Sequence, residues 1–326
     1  MEGIVLSLLN TLFLMKQLHI YLIIVGICLF QNNSIGQSTM DVFFPQKGQS
    51  SLAIGNTSKS YDSFYRGPTL TEGNPADFGS ISSTIVSIYG TYSFSDQLTG
   101  VINLPYITVR NENGVNDPIQ QKSKVSGLQD LSFGVKGKLW EKAINSSKLV
   151  VGGGAVVRFP VGNYEEAGIL SIGNGAISIE GLALLQYQIH GGLFAELQSG
   201  YSLRRNKNFD IPDAFIGEFK IGYAHSKFYL STAIGRQNSE SAFDIGSEEF
   251  GSRGGPASLP ETEVDYTVLN INGYVPIGSS GFGVTVGYGK VLDGRNAGAE
   301  SFITGGIVIN NLFYHQPTKP RYILGY

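Results

Sequence analysis

The chain has 326 residues, a formal net charge of −3 and only 15% charged residues, so it carries no basic stripe of the kind that neutralises phosphates, which argues against nucleic-acid binding. Its 43 glycines, 17 tyrosines and 19 phenylalanines suit a curved sheet with aromatic girdles. After residue 37 no stretch approaches the roughly 20 uninterrupted apolar residues of a spanning helix, so in a membrane only a closed sheet could satisfy this backbone.

At the N-terminus, Lys16 and His19 precede an apolar run from Ile20 to Phe30, and Ser34-Ile35-Gly36-Gln37 has the small residues of a signal-peptidase site. Residues 1–36 are expected to be a secretory signal peptide cut after Gly36, with Met15 an alternative start because Met15-Lys16 opens a normal n-region. The competing expectation, one signal anchor from Ile4 to Phe30, is interrupted by Lys16, Gln17 and His19. The single cysteine, Cys28, falls inside the run, which would leave the mature chain without thiols in an oxidising periplasm. A lipid-attachment site there fails because Ile27 stands where a small residue is needed. The expected order is a short segment over 37–48, a barrel over 49–315 and a tail over 316–326.

From residue 49 onward, apolar residues recur at every second position, the period of a strand with one oily face. The pattern predicts strands near 49–58, 80–95, 97–110, 127–140, 148–160 and 174–189, then 192–204, 212–224, 227–238, 263–276, 281–292 and 299–314. Leu131, Phe133, Val135 and Leu139 oppose Asp130, Ser132, Lys136 and Lys138, while Ile177, Ile179, Leu185 and Tyr187 oppose Ser178, Glu180 and Gln186. Leu193, Leu197, Tyr201 and Leu203 oppose Glu196, Gln198, Ser202 and Arg204, and Phe215, Phe219, Ile221 and Tyr223 oppose Glu218 and Lys220. Between Gln97 and Arg110 both parities carry apolar residues and the pattern frays.

Short connections alternate with longer polar ones at 59–79, 111–126, 161–173, 205–211, 239–262 and 293–298. That sorting marks an all-β, transmembrane, antiparallel up-and-down β-barrel of about twelve strands, with short periplasmic turns, longer extracellular loops and both termini in the periplasm. The expected location is a Gram-negative outer membrane, with its lipid, the export route and the barrel-assembly machinery as partners. No internal repeat suggests a solenoid or propeller.

The segment Ser126-Gly127-Leu128-Gln129-Asp130-Leu131-Ser132-Phe133-Gly134-Val135-Lys136-Gly137-Lys138-Leu139 resembles the G-x-x-D-x-x-x-G-x-K strand of the outer-membrane transporter-like barrels grouped as "MetA-pathway of phenol degradation" proteins. Gln46 to Leu52 with Tyr61 to Tyr65 resembles the opening of such barrels, and Tyr89 to Leu98 with Asn103 to Tyr106 their second hairpin. The likeness is carried by residues 45–140; Gln129 replaces a glycine often found before the aspartate, and Gly137 a bulkier residue. It implies passage of small, often hydrophobic or aromatic, molecules across the outer membrane without fixing the solute.

If the oily parity meets lipid, Asp130, Lys136, Lys138, Arg158, Glu180, Glu196, Arg204, Glu218 and Lys220 are the candidate lumen-facing residues, because Arg or Lys on the lipid face costs about 2–4 kcal/mol at mid-membrane. They would either line a selective path or form a salt-bridge network that fills and stiffens a narrow barrel. No catalytic residue is expected. Of four histidines, His19 falls in the signal, His190 and His225 in turns, and His315 at the end of the last strand, none beside a mid-strand serine as a barrel phospholipase would need. No metal site or cofactor is expected either: Asp244, Glu248 and Glu249 lack a recognised calcium spacing, and Gly152-Gly153-Gly154 has no following Lys-Ser/Thr and reads as close-packed sheet. The leading expectation is a passive channel or transporter-like barrel for small molecules. The alternative is a structural or surface-interaction barrel with a closed lumen, and a phospholipase comes third. The solute, a plug formed by 38–48 or 59–79, the oligomeric state and the tail stay undetermined at this level.

Overall fold

The protein is described here by a computed structural model, which covers residues 40–73 and 78–312. The expected signal peptide, the tail 316–326, His19 and His315 lie outside the described residues.

The period-two segments form strands β1 (Ser50–Tyr61), β2 (Ser63–Arg66), β3 (Thr69–Glu72), β4 (Ile81–Ser93), β5 (Leu98–Asn111), β6 (Lys124–Leu128), β7 (Asp130–Ile144) and β8 (Ser147–Pro160). They continue as β9 (Ile177–Gln188), β10 (Leu193–Arg205), β11 (Ala214–His225), β12 (Phe228–Ser239), β13 (Asp265–Pro276), β14 (Phe282–Arg295) and β15 (Ser301–Asn310). Apart from β6 and β7, which do not pair with each other, strands of the large sheet pair antiparallel with their chain neighbours, and β1 pairs both with β4 and with β15, from Ser51↔Asn310 to Ser60↔Ser301. The sheet is therefore closed and has no edge, the condition that lets strands lie in lipid. Of its thirteen strands, β6 and β7 both pair with β5 and make one interrupted stave, which leaves twelve staves. Gln129, between them, still donates its N–H to the Pro105 carbonyl at 3.0 Å.

Every strand expected from periodicity is present, with ends moved by a few residues. Three features were hidden inside segments read as long loops: the β2–β3 hairpin, β6, and a short helix α1 (Glu248–Ser252) followed by a 3-10 turn (Gly255–Glu261). Each is too short to show a period. α1 starts where Ser247 accepts the Phe250 N–H, an ordinary N-cap.

Short turns over 94–97, 145–146, 189–192, 226–227 and 277–281 gather at one end of the barrel, and the longer connections at the other. The outer face between them is oily: Ile179 is 54% exposed, Leu197 47%, Phe219 50% and Ile221 51%. So much contiguous exposed apolar surface is tolerated in lipid and not in water. Near the turn end aromatic rings cluster, with Tyr92 and Phe94 edge to face at 5.2 Å and Tyr223 beside Phe228 at 5.5 Å, as at a membrane interface.

The fraying between Gln97 and Arg110 has a cause in the packing. Ile107 and Val109 of β5 point inward and join Phe78, Ile81, Leu170 and Ile172 in a buried cluster, with Val125 and Tyr164 packed against it. The connection between β8 and β9 thus folds onto the inner wall at the loop end and gives β5 a second apolar face to cover. Buried Asp117 fixes that fold by accepting the N–H groups of Ile119, Gln120 and Leu170 at 2.7, 3.0 and 2.7 Å.

Candidate functional site: the occupied lumen

Within the turn end of the barrel lies the chain's own segment from Met40 to Gln49. Met40 and Val42 are completely buried, although they belong to no strand. Lys136 on β7, 1% exposed, donates from Nζ to the Asp41 carbonyl (2.9 Å), Asp41 Oδ1 (2.7 Å) and the Phe43 carbonyl (2.7 Å). An ammonium has three protons, and here all three have partners in one short segment. Gln198 of β10 adds a bond from Nε2 to the Met40 carbonyl at 2.8 Å. Phe43 closes the contact with its ring edge to face on Phe194 at 5.2 Å, and Phe194 stacks on Tyr229 at 5.6 Å.

Glycines make the room. A Cβ at Gly134 would sit 2.6 Å from Met40 Cε, one at Gly154 2.8 Å from Met40 Sδ, and one at Gly152 3.0 Å from Phe44 Cζ. The triple glycine read as close-packed sheet is therefore the bed of this segment, with Gly153 alone turned toward the outside beside Leu139. Gly134 and Lys136 of the motif strand hold the N-terminal segment, whereas its Gly127 abuts Ile172 and its Asp130 accepts the Tyr164 hydroxyl at 2.5 Å at the loop end.

The remaining candidate residues fall into two groups. Toward the turn end, Lys220 bridges Glu196 and Glu218 at 3.2 Å each, and Gln186 donates to Glu196 at 2.6 Å. All four are buried, on β9, β10 and β11. Toward the loop end, Arg158 pairs with Glu180 at 3.1 Å, and Ser202 donates to the other Glu180 oxygen at 3.5 Å. Arg204 donates to Gln237 Oε1 at 2.7 Å and to Ser202 Oγ at 3.4 Å. Between the groups opens a cavity of about 200 Å³, bounded by Arg158, Glu180 and Arg204 above, Glu218 and Gln198 below, and Leu182, Ile216 and Val268 along the wall. Lys138 stands apart: its Nζ meets Glu141 at 2.7 Å near the turn end, just before a bulge that shifts the β7–β8 register between Lys138 and Trp140.

Sequence periodicity could place the charged residues on one parity, but not their partners. Asp130 and Arg158 both lie toward the loop end but do not meet each other: Asp130 accepts from Tyr164 and Arg158 pairs with Glu180. The contributions of Asp41, Gln198 and Phe194 were missed. Phe194 breaks the polar character of its own parity, which was its only signal.

Among the described residues no group of three or more His, Cys, Asp and Glu gathers as a metal site. Asp244 is instead bound in a fork by Arg295, at 2.7 and 2.8 Å, and by Asn296 at 2.8 Å. His225 stacks on Tyr223 at 6.0 Å and accepts the Lys227 N–H at 3.3 Å in a turn.

A closed antiparallel ring with a lipid-matched exterior and an enclosed polar interior defines an outer-membrane β-barrel protein. The profile described as "Putative MetA-pathway of phenol degradation" matches residues 66–248, more than half the chain, and the chain belongs to that family. No curated protein matches the sequence. Among solved structures, a COG4313 outer membrane channel from Pseudomonas putida F1 is similar with a TM-score of 0.65 and 13% identity over 85% of this chain and 100% of its own. The translocator domain of the autotransporter NalP from Neisseria meningitidis aligns at a TM-score of 0.40 with 11% identity, covering 92% of this chain and 96% of its own. The outer membrane phospholipase A from Escherichia coli aligns at 0.37 with 8% identity, covering 83% and 95%.

Proposed function

We propose that this barrel is a passive outer-membrane channel for small, hydrophobic or aromatic molecules, with its N-terminal segment as a resident plug. The turn end faces the periplasm together with both termini, and the long connections face the exterior. Solute moves down its own gradient. The observation that carries this reading is the manner of attachment: residues Met40 to Phe44 lie outside every strand and are held by side-chain bonds from Lys136 and Gln198 beneath a cavity inside the barrel, and the segment joins the sheet where the Gly48 and Gln49 backbone groups bond Ser93. The part outside the ladder can leave without unravelling the sheet. Family membership and the likeness to the Pseudomonas putida outer membrane channel support the same reading. In this account the Glu196–Lys220–Glu218 network stiffens the wall behind the plug, and Arg158, Glu180 and Arg204 meet the solute.

The buried ion pairs and the occupied lumen also favour a second reading, a closed barrel that serves as a structural or surface-interaction module. Single-channel conductance of the refolded protein separates the two. Lys136→Ala removes three bonds to the plug and should raise open conductance severalfold while heat-modifiable gel migration stays normal. If neither the native protein nor the variant conducts, the closed-lumen reading stands.

A further inference from the structure

The cavity is chemically uneven along its length, and the unevenness has a direction. At its loop end Arg204 carries a guanidinium whose hydrogen bonds run to neutral partners, Gln237 and Ser202. The neighbouring Arg158 is matched by Glu180, but among the described residues no carboxylate lies within ion-pair distance of Arg204. Among the described residues two of its five N–H donors are used, so donors remain for a further acceptor. Two inner-facing positions turn-ward of Arg204, Leu182 of β9 and Ile216 of β11 both stand in register with Gly200, where a Cβ would lie 2.6 Å from Leu182 Cδ2. Two residues further down, Glu218, in register with Gln198, forms a carboxylate floor, and Val268 of β13 stands beside it across Gly235. Arg204 and Gln198 are six residues apart on one strand, about 20 Å.

We infer that the cavity is a binding subsite for a monocarboxylate with a compact apolar body, its carboxylate on Arg204 and its body against Leu182, Ile216 and Val268. This rests on the channel reading and names the class of solute that pauses there. A guanidinium on the inner wall of a barrel forms forked, charge-assisted bonds to a carboxylate that a neutral amide cannot match. The carboxylate floor at Glu218 repels the same group, so the ligand enters in one orientation and is drawn toward the loop end. A cationic or purely hydrocarbon solute finds no such anchor.

The test uses the detergent-solubilised full chain and isothermal titration with 3-phenylpropanoate and its neutral amide, 3-phenylpropanamide. The native protein should bind the acid saturably and at least about tenfold tighter than the amide. Arg204→Gln should abolish that preference and leave amide binding unchanged, and Arg204→Lys should keep part of it. Arg110→Gln, an exposed outer-surface control, should change neither. Equal affinity for acid and amide, absence of saturable acid binding, or an acid preference that survives Arg204→Gln would each overturn the inference. If Arg204→Gln fails the heat-modifiability test of folding, the acid-to-amide ratio of the native protein decides alone. Conductance is read separately, so a barrel that conducts without preferring the acid refutes this subsite and leaves the channel reading intact.

Discussion

Lys136 holds the N-terminal segment with all three of its ammonium protons, on the Asp41 carbonyl, the Asp41 carboxylate and the Phe43 carbonyl. Its parity, opposite Phe133 and Val135, marks it for the inner side, and burial to 1% fits the rule that a charge leaves water only when paired. Its partners, however, lie 93 to 95 positions away in a stretch with no periodicity, which no local pattern could supply. Gly154 is similar: a glycine triplet signals close approach, but only the fold reveals that Met40 is what approaches. This contact gives a direct prediction. Gly154→Val would place a branched side chain into the Met40 thioether, so the segment should leave its bed while the wall stays closed. Limited proteolysis should then remove residues near 40–46 much faster than in the native protein, with unchanged heat-modifiable migration; equal protection in both would show that the segment is not held there.

The elements most legible in the sequence are those with one clean lipid face, β9, β10 and β11, whose oily residues are about half exposed at their outer positions. β5 was ambiguous because its inner face packs on Leu170 and Ile172 of a distant connection, so both parities must be apolar. The connection between β12 and β13 was legible only as polar, because its order comes from long-range bonds. Arg295 and Asn296, beyond β13, hold Asp244, and Glu263 adds a second carboxylate on Arg295 at 3.1 Å. The Arg295 hydrogen bonds hold the Asp244 carboxyl below its ordinary range. A depressed carboxylate contributes stability above its unfolded pKa of about 3.9 and loses it as pH falls through the lower folded value. The loop should therefore stay ordered at neutral pH and loosen below about pH 4, read as faster amide exchange over 240–262. Asp244→Asn should give the faster exchange already at pH 7 and flatten the dependence; a flat native profile would remove the pair from any role in ordering the loop.

At the scale of the whole molecule, closure of the ring follows from one requirement: a sheet in lipid can leave no strand edge unpaired, and β1 meets β15 over ten residue pairs. The alternation of short and long connections stated the antiparallel order in advance, and the two-residue period stated which faces differ. The contents of the interior were the part that sequence withheld, since an N-terminal segment outside the strands and a loop folded inward leave only a few glycines and misplaced aromatics as signals. All of it depends on which medium covers the oily parity. Spin labels placed singly from Phe215 to Ala224 on β11, in the refolded protein in lipid bilayers, measure this most directly through collision with oxygen and with a water-soluble nickel chelate. Oxygen accessibility should rise at 215, 217, 219, 221 and 223 and fall at the positions between, repeating every second residue. A profile without that alternation, or one in which the nickel reagent reaches Phe219 and Ile221 freely, would contradict a lipid-covered barrel and the lumen built on it.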